Sequence, residues 1–268
     1  MYSDATNIGI FFGSSCLVVF LFLLILHPNL YNMNIAIILA GGSGSRLGGD
    51  LPKQFLEVAG KTIIEHTIDV FDTCSLVDEI AVVSRQDFIN EVERIVADNH
   101  FSKVRRVLPG GKERYHSSLS ALQAYKDDAD NLLFHDAVRP LVSHRIIDDC
   151  IAALERYRAV NVAVPTTDTI VQVDDDNCIV GVPPRKYLRN SQTPQCFKRG
   201  VIAQAYQLAL QDPGFTTTDD CGVVRRYLPN EPVFVVNGEN TNLKLTYKED
   251  LFLFEHLLKS RILNSSLQ

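Results

Sequence analysis

The chain has 268 residues, of which 46% are hydrophobic and 22% charged, a globular composition with length for one large α/β domain or two small ones. A formal charge of -6 gives no global basic field, which excludes nucleic acid as a main partner and means that small anionic substrates need locally placed basic residues. The six cysteines (Cys16, Cys74, Cys150, Cys178, Cys196 and Cys221) show neither CxxC spacing nor the density of a secreted disulfide scaffold, so they fit a reducing cytoplasm and read as small hydrophobes rather than nucleophiles.

Between Ala5 and Leu26 the sequence is uncharged, and Cys16–Leu26 reads CLVVFLFLLIL. Roughly 20 apolar residues span a bilayer, but Gly13, Ser14 and Ser15 interrupt this run, and Asp4 stands where a signal peptide would carry Lys or Arg. Residues 1–32 therefore read as an apolar extension with three explanations open. It is translated upstream sequence before a start at Met33, which the interruptions favour, a membrane anchor through 8–26, or a soluble interaction helix.

From Met33 onward, β-branched runs alternate with helical patterns. Strands are expected at Ile35–Leu39, Glu79–Val83, Val104–Leu108, Asn131–His135, Asn161–Val164 and Pro232–Val236, and helices at Thr62–Asp72, Phe88–His100, Ser117–Tyr125, Ile146–Tyr157 and Val201–Leu210. Strands apolar on both faces with helices between them argue for a parallel sheet in a three-layer α/β sandwich, with ligands at the carboxyl ends of the strands. One catalytic domain over 33–268 is expected. Asp168–Val173 and Cys178–Val182, joined by Asp174-Asp-Asp-Asn, break the alternation and read as a β-hairpin arm over about 168–183. Its apolar positions need cover, which favours a homodimer through the arm over a hairpin folded back on its own domain.

Leu39-Ala-Gly-Gly-Ser-Gly-Ser-Arg-Leu-Gly follows the first strand. Glycines there let backbone N–H groups approach an anion that a Cβ would block. Gly42, Gly44 and Gly48 also suggest dinucleotide binding, but the distance of about 20 residues at which an acidic ribose partner belongs falls in the helical Thr62-Ile-Ile-Glu-His-Thr. Arg46 and Lys53 instead suit a triphosphate. Gly60-Lys61-Thr62 mimics the end of a P-loop, yet Phe55 occupies the place of its first glycine and Leu56-Glu-Val is strand-like, so that match is set aside.

The glycine loop followed by Leu51-Pro-Lys-Gln-Phe resembles the signature of the sugar- and polyol-phosphate cytidylyltransferases, which include the 2-C-methyl-D-erythritol 4-phosphate and ribitol 5-phosphate enzymes. Gly110-Gly-Lys-Glu-Arg-Tyr-His-Ser, His135-Asp-Ala-Val-Arg-Pro, Asp168-Thr, Arg185 with Gln192-Thr-Pro-Gln, Thr218-Asp-Asp and Asn242-Leu-Lys-Leu-Thr occur in the family's order across nearly all of 34–256. The resemblance implies a Rossmann-like, nucleotidyltransferase-type sheet and a reaction of CTP with a polyol phosphate to give a CDP-polyol and pyrophosphate. Such chemistry needs positioning and charge neutralisation rather than a covalent nucleophile.

By resemblance, Arg46 and Lys53 hold the triphosphate and stabilise the leaving pyrophosphate, and Lys244 contacts the α-phosphate from the opposite side. Leu39, Ala40, Gly41, Gly42, Gly44, Gly111, Arg114, Ser117 and Ala137 form the CTP site, with cytosine read mainly by backbone groups. Lys112 departs from the acid common in the methylerythritol branch. Mg2+ bridges the phosphates, and Asp136, at the end of a strand, holds it directly or through water. Thr169, Arg185 and Thr193 meet the polyol phosphate, with Arg185 serving the partner's site if the arm crosses over.

Tyr187 and Leu188 replace a Leu-Trp pair common in the methylerythritol enzymes, and the chain has no Trp. That difference, with Gly110-Gly-Lys-Glu-Arg and Leu243-Lys-Leu-Thr, favours ribitol 5-phosphate as acceptor. The alternative is 2-C-methyl-D-erythritol 4-phosphate, in isoprenoid precursor synthesis. Rivals from other classes are an NAD-dependent oxidoreductase and a non-catalytic nucleotide-binding module.

Overall fold

The computed structural model describes residues 32–42 and 51–265. The apolar run over 8–26 lies outside them, and Met33–Gln268 forms a unit of its own. Among the described residues no helix is long and apolar enough to cross a membrane.

The strands are β1 (Asn34–Ala40), β2 (Glu57–Val58), β3 (Lys61–Thr62), β4 (Glu79–Ser84), β5 (Val104–Pro109), β6 (Asn131–Asp136), β7 (Ala159–Pro165), β8 (Gln172–Val173), β9 (Ile179–Gly181), β10 (Arg189–Lys198) and β11 (Val233–Asn237). The helices are α1 (Ile63–Thr73), α2 (Ile89–Asp98), α3 (Arg114–Ala124), α4 (His144–Ala153), α5 (Arg199–Ala209), α6 (Asp220–Tyr227) and α7 (Lys248–Ser265). Among the described residues, seven strands form one sheet in the order β11-β7-β10-β6-β1-β4-β5. Only β10 runs antiparallel to its neighbours in that sheet.

The alternation of side chains along β1 explains the three layers. Ala36, Ile38 and Ala40 pack with Ile64, Ile68 and Phe71 of α1, Val92 of α2 and Ile146 of α4. Ile35, Ile37 and Leu39 face the other way, onto Ala121 of α3, Ile202 of α5 and Val224 of α6. The sheet is thus apolar on both faces because helices cover both.

Three expectations need correction. Strand β10 was not foreseen, because Arg189-Asn-Ser-Gln-Thr-Pro-Gln is polar and contains a proline, which central strands exclude. The ladder admits Pro194 because its register against β7 shifts between Ser191 and Gln195, where the regular pairing is already broken. Helix α4 stops at Ala153 rather than Tyr157. The arm is a hairpin, turned at Asn177 in a left-handed conformation (φ 61°), but its ladder covers only β8 and β9. The P-loop mimic Gly60-Lys61-Thr62 belongs to the β2–β3 hairpin, where Ala59 and Gly60 both take positive φ.

Candidate active site

The parallel strands β1, β4, β5 and β6 end on one edge of the sheet, and the loops that leave them wall a cleft of about 640 Å³, within the roughly 300–1,000 Å³ of small-molecule sites. Strand β1 has β4 on one side and β6 on the other, the kind of switch point where open α/β sheets bind ligands. Leu39, Ala40, Gly41, Gly42, Lys53, Gly111, Arg114, Ser117, Asp136, Ala137 and Lys244 all line this cleft. Sequence separation is no guide here, since Lys53 and Lys244 come from opposite ends of the unit.

Two contacts hold the first wall. The buried turn Lys53–Phe55 directs Lys53 Nζ to donate to the Leu245 carbonyl at 2.9 Å. Gln54 Nε2 donates to the Ala40 carbonyl at 2.7 Å and to Gly42 at 3.3 Å, tying down the start of the glycine loop. Leu245 N–H in turn donates to the Val138 carbonyl at 2.9 Å, so the segment carrying Lys244 is stitched to the loop after β6.

Asp136 is the electrostatic centre. Its carboxylate lies 2.9 Å from Lys244 Nζ, 3.5 Å from Arg139 Nε and 3.9 Å from Arg114 Nε. Burial by itself would push this carboxyl up, but Lys244, Arg114 and Arg139 outweigh it and hold Asp136 far below the ordinary carboxylate range. Lys53, Arg85, Lys112, Arg114 and Lys244 line the cleft against Asp87, Glu113 and Asp136, so the site is locally positive within an acidic chain, which suits a polyanion.

The backbone around Asp136 is fixed by its neighbours. Asp136 N–H donates to Thr193 Oγ1 at 3.1 Å, and that hydroxyl lies 3.1 Å from His135 Nδ1. The other ring nitrogen, Nε2, lies 3.1 Å from the Arg139 carbonyl. A ring nitrogen facing a carbonyl must carry the proton, so Nε2 donates to Arg139, and in the neutral ring Nδ1 accepts from the Thr193 hydroxyl. Burial pushes the ring's pKa down to about 4 despite the Arg139 hydrogen bond.

On the opposite wall, a Cβ at Gly111 would come within 2.4 Å of His116 Cβ, and one at Gly110 within 2.7 Å of Ser117 Oγ. Only glycine lets this loop pass so close to the start of α3, which keeps its backbone groups available to a flat ligand.

Not every expected residue converges. Thr193 is buried behind Asp136 rather than in the lining. Thr169 and Arg185 are exposed on the arm and do not line the cleft, and Arg185 Nη1 donates to the Thr167 carbonyl at 2.9 Å. Arg46 and Gly44 lie outside the described residues. Conversely, Arg139, Gln54 and Asp220 had no assigned role, although each sits inside a motif already singled out.

A family model described as "IspD: 2-C-methyl-D-erythritol 4-phosphate cytidylyltransferase" matches residues 34–260. A 2-C-methyl-D-erythritol 4-phosphate cytidylyltransferase of Thermobifida fusca is 50% identical over 233 residues, covering 85% of this chain and 94% of the relative. The bifunctional ribulose 5-phosphate reductase/CDP-ribitol pyrophosphorylase Bcs1 of Haemophilus influenzae is 48% identical over 233 residues, covering 86% of this chain but 49% of the relative. Among solved structures, the 4-diphosphocytidyl-2C-methyl-D-erythritol synthase of Anaerococcus prevotii superposes with a TM-score of 0.76 at 32% identity, covering 85% of this chain and 96% of that one. The motifs, the cleft and these likenesses agree: the chain belongs to the IspD family of 2-C-methyl-D-erythritol 4-phosphate cytidylyltransferases and is a nucleotidyltransferase.

Proposed function

We propose that the enzyme couples CTP to 2-C-methyl-D-erythritol 4-phosphate, releasing pyrophosphate. This reverses the expectation of ribitol 5-phosphate. Tyr187, which with Leu188 carried much of that expectation, is 74% exposed on the arm beneath Lys186 and does not line the cleft of its own chain. Support for methylerythritol phosphate comes from the family match and the T. fusca relative, which is spanned almost end to end. Ribitol 5-phosphate is the second reading, favoured by the 48% identity to Bcs1.

The observation that carries the chemistry is the cation cluster around Asp136. A phosphate oxygen of the polyol attacks the α-phosphorus of CTP while the bond to the bridging oxygen breaks, so negative charge grows on the leaving pyrophosphate. Lys53 and Lys244, brought to one cleft from distant parts of the chain, would neutralise that charge, and fixed cations placed where charge develops are where an enzyme gains most. Among the described residues no group of three His, Cys, Asp or Glu could cage a metal. Asp136, at the cleft, would suit a Mg2+ delivered with the triphosphate, since such ions are commonly held by one or two carboxylates with substrate phosphate and water. Bound there, the ion would offset phosphate charge, with Asp136 as its protein contact.

The arm completes the reading as a homodimer. Ile179, Val180 and Val182 are 64%, 63% and 59% exposed, an apolar surface suited to a second copy. Thr169 and Arg185 would then grip the acceptor phosphate in the partner's site. The deciding assay follows pyrophosphate release from CTP and Mg2+ with each polyol phosphate. A higher kcat/KM with ribitol 5-phosphate would overturn the proposed acceptor.

A further inference from the structure

Arg114 opens helix α3 and is gripped from beneath by Asp220, a carboxylate with no exposed surface. Arg114 Nη1 donates to Asp220 Oδ2. Asp220 Oδ1 accepts from Ser118 Oγ and from Tyr206 OH, both at 2.6 Å. The Asp220 N–H donates to the Gln195 side-chain oxygen at 3.0 Å. A buried carboxylate is costly unless its lone pairs are filled, and here α3, α5 and β10 all contribute to fixing its position.

The arrangement decides what Arg114 has left to offer. With Nη1 committed to Asp220, Nε faces Asp136 at 3.9 Å. Nη2 is buried with no hydrogen-bond partner among the described residues. Nη2 has no open surface, so the part of Arg114 that a bound ligand meets is the 24% of its side chain that remains exposed at the cleft wall. Because Asp220 neutralises its charge, Arg114 acts as a fixed directional donor rather than a mobile cation.

We propose that Asp220 is a positioning residue: without touching substrate, it holds the Arg114 guanidinium at the wall of the cleft beside Asp136, and thereby sets the affinity for the nucleotide. The inference rests on reading the cleft as the CTP site.

A double-mutant cycle tests it, with CTP affinity measured by calorimetry and kcat/KM by pyrophosphate release. Asp220→Asn alone is expected to weaken CTP binding about tenfold, the scale of one hydrogen bond to a charged group. In an Arg114→Gln background the same change should cost less than about twofold, because its effect passes through the arginine. Equal losses in both backgrounds, as a merely structural role would give, or no loss in the single variant, would overturn the proposal. If Asp220→Asn does not fold, Tyr206→Phe removes one donor from the same carboxylate. It should weaken binding about threefold alone and not at all with Arg114→Gln, and equal losses again overturn the proposal. Wild-type protein that binds CTP but transfers to no polyol phosphate removes the acceptor reading while the cycle still decides this one. Wild-type protein that binds no CTP removes the nucleotide reading and the inference with it.

Discussion

Asp136 is 8% exposed and bordered by three cations, whereas Ile179 on the arm is 64% exposed and the β8–β9 ladder beside it is only a few residues long. The cleft is made by the ends of parallel strands, so its groups are placed by the same packing that forms the core. The arm leaves that core at Pro165 and carries Thr169 and Arg185 on a ribbon whose apolar surface is open. One region is preorganised by its own chain. The other carries the two residues proposed to hold the acceptor phosphate on an open surface, which the proposed homodimer would cover.

The contrast can be broken most sharply at the cleft. Lys53→Ala and Lys244→Ala should each lower kcat by roughly 10²–10³-fold at saturating CTP, the size found when a transition-state donor is removed, with thermal unfolding followed to separate lost chemistry from a loosened wall. Near wild-type turnover in either variant would remove the phosphate assignment.

The buried region should also show a pH dependence that the arm lacks. His135 falls from its ordinary 6.5 to about 4 in the folded state, so the unfolded chain binds the proton more readily. Stability is therefore full above about pH 6.5 and lost as pH falls toward 4, by up to about 3 kcal/mol. Denaturant unfolding at pH 7 and pH 4.5 measures this, and His135→Gln should flatten that part of the profile. An unchanged slope in the variant would assign the dependence to other groups.

On the arm, effects should be smaller and selective. Arg185→Lys replaces a two-pronged donor by a point charge, so KM for the polyol phosphate should rise about tenfold while KM for CTP stays within about twofold. Mixing inactive Arg185→Ala with inactive Lys53→Ala protein should restore some activity, since a mixed dimer regains one intact site. Proven heterodimers without activity would show that each site is built from one chain. The smallest effect is expected from Ile179→Ser, which should change the stability of the isolated subunit by no more than about 0.5 kcal/mol. The same substitution should weaken self-association in sedimentation, and unaltered association would remove the arm from the interface.

The sequence by itself determined the α/β class, the positions of β1, β4, β5 and β6, and most residues of the cleft. The central strands were legible because a strand buried on both faces is a continuous apolar run, as in the IAIILA of β1, and the cleft loops because a loop that must approach an anion closely is written in glycine. The resemblance of its motifs to the cytidylyltransferases also assigned Lys53, Asp136 and Lys244 to one site, and all three line the cleft. It did not reveal β10, whose polar residues serve the site from inside the sheet: Thr193 fixes Asp136, and Gln195 holds Asp220. Nor did it reveal Arg139 or Asp220, since a buried charge is recognisable only by the partners that neutralise it. Tertiary structure alone decided those pairings, because Arg114 and Asp220 are 106 residues apart and meet only once α3 and α6 pack on the same face of the sheet.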